Sequence, residues 1–160
     1  GRNHVLALMF DMNLLWEKFV LVSLRKHFKD ADVKAQIEKL FWEPANRRSS
    51  KIKPDILVVS NKQNYVLDTK WKNIDQQGVS AQDLHQLFVY HEYFGAQKVA
   101  VVYPGASGDL IKGTYRPSQG TAIAERECSL LPVEVAGEVV AWQKAIAARV
   151  REWVMTSNLN

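Results

Sequence analysis

Two carboxylates and one ammonium, Asp55, Asp68 and Lys70, interrupt runs otherwise rich in Val, Ile and Leu: Lys53-Pro54-Asp55-Ile56-Leu57-Val58-Val59 and Tyr65-Val66-Leu67-Asp68-Thr69-Lys70. The runs read as strands, Ile52 to Ser60 and Tyr65 to Trp71, and the turn-rich Asn61-Lys62-Gln63-Asn64 between them predicts an antiparallel hairpin. A turn centred on Lys62-Gln63 sets Asp55 opposite Lys70, and a shift of two in the register sum sets it opposite Asp68. Because strand side chains alternate, Asp68 and Lys70 share one face while Leu67 and Thr69 point to the other. The three charges converge in either register.

Burying such a trio is costly unless the charges compensate one another or a cation joins them. Two carboxylates at close range suit a hard divalent ion such as Mg²⁺, with Mn²⁺ as its substitute. Beside it, Lys70 would orient or deprotonate a metal-bound water and stabilise charge on a phosphate, the chemistry of metal-assisted phosphodiester hydrolysis. An ordinary cross-strand salt bridge on a solvated sheet face satisfies the same spacing.

Further residues could serve that chemistry. On a helical wheel Glu17 falls on the apolar arc with Val20, Leu21 and Leu24, either as a further acid at the metal or as a carboxylate reaching the rim. Asp83, Gln86 and Tyr90 line one helical stripe, and the last two could support a phosphate or hold Lys70, or else simply pack. The basic residues Arg47, Arg48, Lys51 and Lys53 lead directly to Asp55 and, with Lys72, could grip a DNA backbone, or form a solvated loop. His85, His91 and Cys128 show no zinc spacing, and neither a phosphate-cradling Gly-Lys-Ser/Thr loop nor a Ser-His-Asp set is present in the sequence.

The elements that must position these residues follow from periodicity. Asp11 to Phe28 predicts a helix with Leu14, Leu15, Phe19, Leu21, Val22 and Leu24 on its apolar positions. Val33 to Trp42 reads as a strand stopped by Pro44, and 46–51 as an exposed loop. Ser80 to Phe94 reads as a helix with Ser80 as N-cap and Gly95 as stop, and Lys98 to Tyr103 as a buried strand. Pro104 to Gly120 reads as a long loop, Ile123 to Val135 as one or two strands around Pro132, and Val139 to Trp153 as a closing amphipathic helix. The expected order is α-β-β-β-α-β-β-α, an α/β fold with a mixed sheet covered by helices on both faces.

Composition bounds the rest. The 160 residues are 47% hydrophobic and 24% charged, which fits a single packed domain over 1–160 and excludes wholesale disorder. No apolar run approaches the roughly 20 residues of a bilayer span. A single cysteine and the lack of a secretory pattern point to a reducing cytoplasm. The +4 net charge is compatible with a polyanion partner without demanding one. The opening Gly1-Arg2-Asn3-His4, without an initiator methionine, reads as the start of a fragment.

Pro54-Asp55 followed by Asp68-Thr69-Lys70, with Glu17 on a preceding helix and Gln86 to Tyr90 on a following one, resembles the PD-(D/E)xK nuclease superfamily and its restriction-endonuclease-like core. Met12 to Val20, Lys53 to Ile56, Leu67 to Lys72 and Asp83 to Tyr90 together resemble the McrC family of McrBC restriction systems over about residues 10 to 105. The resemblance implies a Mg²⁺-dependent DNA endonuclease acting with McrB, a GTP-hydrolysing AAA+ partner that recognises modified cytosine. It implies metal binding by Asp55, Asp68 and the Thr69 carbonyl with help from Glu17, service to the nucleophile by Lys70, and phosphate support by Gln86 and Tyr90. The resemblance further implies that full McrC subunits carry an N-terminal partner-binding region, so that the 160 residues are expected to be a fragment without it, and that two nuclease domains act together to break both strands. A RecB-like repair nuclease and a catalytically dead DNA-binding or assembly module of the same fold are the alternatives.

Overall fold

A computed structural model describes residues 11–106, 108–116 and 126–156. Its elements are α1 (Met12–His27), β1 (Asp32–Ala35), β2 (Lys39–Trp42), β3 (Ser50–Ile52), β4 (Ile56–Ser60), β5 (Gln63–Thr69), α2 (Ile74–Gln77), α3 (Ala81–Phe94), β6 (Ala96–Pro104), β7 (Ile111–Thr114), β8 (Glu127–Val133) and α4 (Val139–Met155). Six strands form one mixed sheet in the order β1-β4-β5-β6-β8-β7, and β2 and β3 pair as a separate ribbon. β5, β6 and β8 run parallel, and the outer pairs are antiparallel. This is the restriction-endonuclease-like α/β architecture expected from the sequence.

Alternation along the strands sends side chains to two cores. Leu67, Ala100, Val102 and Leu131 pack with Trp16, Val20 and Leu24 of α1 and with Ile146, Val150 and Trp153 of α4. Val66, Val99, Val101 and Tyr103 pack with Leu87, Tyr90 and Phe94 of α3. The apolar arc of α1 differs from expectation: Trp16, Val20 and Leu24 are buried, while Leu14, Leu15 and Val22 are exposed. Trp16 carries the largest apolar area and its indole N–H finds the Val102 carbonyl at 3.1 Å, so the helix turns that side inward. Asp11 caps α1 and Ser80 caps α3, each accepting backbone N–H bonds of the first turn, and Gly95 ends α3 in the left-handed conformation.

Four boundaries correct the sequence reading. The span 33–42 is two strands in two sheets, divided at Gln36, whose φ is +60°. The run 52–60 is broken at Lys53-Pro54-Asp55, because proline has no N–H for a ladder and restricts the residue before it. The basic loop is shorter than expected, since Ser50, Lys51 and Ile52 pair with β2. Within the expected loop 104–120, residues 111–114 form β7 against β8, while 117–120, like 123–125 of the expected following strand, lie outside the described residues. The short helix α2 was not expected; Asn73 caps it.

Candidate active site at the strand ends

The β4–β5 turn is Asn61-Lys62, both with positive φ (50° and 64°), so Ser60 pairs with Gln63 and Ile56 with Leu67. Extending that register by one residue sets Asp55 opposite Asp68 rather than Lys70. The two acids therefore meet across the strands, and Lys70 reaches back along β5 to place Nζ 2.7 Å from Asp68 Oδ2.

Each acid is held differently. Asp55 Oδ2 accepts the Thr69 backbone N–H at 2.7 Å and the Thr69 hydroxyl at 2.9 Å. Asp68 is 3% exposed, and its Oδ2 meets the Lys70 ammonium in a charge-assisted contact. Burial, then the Asp55 charge, push the Asp68 carboxyl up to about 6 against the opposing pull of Lys70. Burial works to lower Lys70, but Asp68, Asp83 and Asp55 outweigh it and hold the ammonium above its ordinary value.

A cavity of about 430 Å³ opens over this group, lined by Glu17, Asp55, Thr69, Lys70, Lys72 and Asp83 among others. Glu17 sits half-buried at its rim, its pKa raised by burial and then by Asp55. Asp83 is the component that sequence reasoning left out of the site. It lies 3.4 Å from Lys70 Nζ and 3.9 Å from Lys72 Nζ, and its Oδ2 accepts the Ser80 hydroxyl at 2.7 Å. Ser80, Lys70 and Lys72 hold its carboxyl low although burial opposes them. Its position on the Gln86–Tyr90 stripe was the available signal.

The remaining candidates do not line this cavity. Gln86 Nε2 donates to Tyr90 Oη at 2.6 Å, which donates to the Lys53 carbonyl at 2.9 Å, tying α3 to the turn before Asp55. Tyr90 also packs edge-on against Phe94. Lys51 pairs with Glu38 at 3.0 Å and Lys53 donates to Gln36 at 2.8 Å, whereas Arg47 and Arg48 occupy the exposed β2–β3 turn.

Among the described residues no three His, Cys, Asp or Glu side chains gather into a metal-holding group. Two carboxylates still suit a hard cation that keeps much of its own water. The buried Asp68 carboxylate, set across the strands from the Asp55 carboxylate whose charge raises its pKa, is a donor set that such a cation would fit.

A mixed sheet flanked by helices, with acids and a lysine gathered where β4 begins and β5 ends, defines the restriction-endonuclease-like class of fold. The family model for the McrBC 5-methylcytosine restriction system component matches residues 1–104, and the chain belongs to that family. Among solved structures, the chain is similar to a chain of the Thermococcus gammatolerans assembly of McrB AAA+ hexamers with bound McrC, at 20% identity and a TM-score of 0.65. That match covers 92% of this chain and 34% of the other, so this chain spans about a third of its length. A weaker likeness to the crystal structure of SSO0001 has 17% identity and a TM-score of 0.47, covering 92% of this chain and 60% of that one. No curated protein matches the chain. No described helix is long and apolar enough to cross a membrane.

Proposed function

We propose that this chain carries the catalytic centre of a Mg²⁺-dependent DNA endonuclease of the PD-(D/E)xK type, the nuclease component of a modification-dependent restriction system. The observation that carries the reading is the buried Asp68 carboxylate, set across the strands from Asp55 with the Lys70 ammonium 2.7 Å away. Asp55 and Asp68 would hold the cation, with the Thr69 carbonyl at the strand end and Glu17 at the rim. When bound, Mg²⁺ supplies Lewis-acid polarisation of the phosphate and a more acidic water.

The chain's own groups do the positioning. Thr69 fixes the rotamer of Asp55 through two hydrogen bonds. Lys70, held protonated by its acidic neighbours, orients the attacking water and offsets charge building on the phosphate. Asp83 keeps Lys70 and Lys72 at the cavity wall, from which the half-exposed Lys72 reaches the DNA backbone. Gln86 and Tyr90 act through the Lys53 carbonyl on the turn that carries Asp55. The partner we infer is a McrB-like AAA+ GTPase, supported by family membership and by the McrC chain seen bound to McrB hexamers. Pairing of two such domains would give double-strand breaks.

Alanine substitution of Asp55, Asp68 and Lys70, one at a time, should each lower Mg²⁺- or Mn²⁺-dependent nicking of DNA by about a hundredfold or more. Mn²⁺ should also raise the melting temperature of the wild type and not of Asp68→Asn. Unchanged cutting in all three alanine variants would sink the reading.

A further inference from the structure

The β2–β3 ribbon lies outside the main sheet and leaves Leu40, Phe41 and Trp42 respectively 50%, 45% and 56% exposed. Three consecutive large apolar residues in water mark a surface that meets something. Their charge surroundings say what. Residues 39–53 contain Lys39, Arg47, Arg48, Lys51 and Lys53 against the single acid Glu43.

Not all of these cations are free. Lys51 is paired with Glu38, Lys53 with Gln36, and Lys39 donates to the Tyr93 carbonyl at 2.7 Å. Arg47 and Arg48, at the turn, have no carboxylate within 4.0 Å among the described residues.

The ribbon is also fastened to the site. Phe41 packs on Tyr93 with ring centroids 5.3 Å apart, and Tyr90 holds the Lys53 carbonyl. Trp42 pairs with Ser50, and the chain runs from Ser50 through Pro54 into Asp55. At about 3.3 Å per residue that path is at most about 17 Å, or roughly five base-pair steps of 3.4 Å.

We propose that the β2–β3 ribbon seats in the major groove of duplex DNA within about five base pairs of the cut, with Arg47 and Arg48 on flanking phosphates and Leu40 and Trp42 against the groove. A two-stranded ribbon matches the width of that groove. The proposal rests on the DNA-endonuclease reading and adds to it the element that grips the substrate. It also narrows the ribbon's own phosphate contacts to the two arginines, since the ribbon's lysines already have partners.

The test is binding of the intact protein to a fluorescent DNA duplex, with Ca²⁺ replacing Mg²⁺ to prevent cutting, across a salt series. Arg47→Ala/Arg48→Ala should reduce the slope of log affinity against log salt by about 1.8, and Arg47→Glu/Arg48→Glu should weaken binding further. Trp42→Ala should weaken binding about tenfold and leave the slope unchanged. Lys144→Ala, exposed on α4, should change neither. Methylation of guanine N7 near the cut should weaken the wild type more than Trp42→Ala, because that atom lies in the major groove. These positions are exposed, so melting temperatures should hold. Unchanged affinity and slope in both the arginine and tryptophan variants, with a wild type that binds and cuts, overturns the ribbon proposal and leaves the endonuclease reading standing. A wild type that neither binds nor cuts overturns both.

Discussion

The Asp55 carboxylate accepts two hydrogen bonds from a single residue, the backbone N–H and the side-chain hydroxyl of Thr69, at 2.7 and 2.9 Å. Strand pairing in β4 begins only after Asp55, so Thr69 takes the place of the missing ladder and stops the acid from turning into water.

Thr69→Val keeps the β-branched shape and removes one of the two bonds. A hydrogen bond to a charged group contributes about 2 kcal/mol, which for a domain of this size lowers the melting temperature by roughly 4–8 °C. Calorimetry checks the stability loss. Mg²⁺-dependent nicking should also fall, while duplex binding in Ca²⁺ holds.

Asp83→Asn removes the charge shared by Lys70 and Lys72 while keeping the side chain's shape. Nicking should fall about tenfold or more as Lys70 loses its second anchor. DNA affinity should hold or rise, because a negative charge has left the cavity that receives a phosphate. Parallel nicking and binding assays separate the two effects.

Lys62 takes a left-handed φ of 64° at the second turn position between β4 and β5, where glycine is favoured. Lys62→Gly should stabilise the protein by about 0.5–1 kcal/mol, read as a higher urea midpoint with an unchanged slope.

Gly105→Ala is expected to do the reverse. A Cβ there would stand 2.9 Å from Tyr103 Cε2, 3.0 Å from Asp75 Oδ2 and 3.1 Å from Pro132 Cβ. Overpacking of this kind costs about 1–3 kcal/mol, again measurable as a lowered urea midpoint.

His91 is buried, its Nε2 lacks a partner among the described residues, and burial, then Arg126, hold its pKa below the ordinary 6.5. The unfolded chain therefore binds the proton more readily than the folded one. This contribution to stability is present above pH about 6.5 and is lost as pH falls through the lowered folded-state value. His91→Leu should flatten that part of the stability profile measured between pH 5 and 8, and an unaltered profile would show that His91 does not govern it.

Much of the layout is legible along the chain because its signals are local. Ser80, Asp83 and Gly95 bracket α3, and Asp11 starts α1, through contacts spanning a few residues. The 99–103 run is apolar throughout because both faces of β6 are covered. Other features depend on partners far away in sequence. The arc of α1 is set by Trp16 meeting the Val102 carbonyl, not by the count of leucines. β7 has its partner in β8, and the apolar Leu40-Phe41-Trp42 run, which looks like a core strand, lies in an exposed ribbon beside α3.

The sequence by itself determined the chemistry available, two acids, a threonine and a lysine near the ends of two strands, because side-chain type and the period-2 alternation are properties of the chain. Only the tertiary structure decided how they meet. The Asn61-Lys62 turn chose the register that faces Asp55 with Asp68, since a different turn residue pair shifts every partner along the ladder. The packing of α3 on the sheet brought Asp83 to Lys70, and burial between those layers took Asp68 out of water beside Asp55 and Lys70. Desolvation and charge proximity depend on neighbours distant in sequence, so spacing alone does not reveal them.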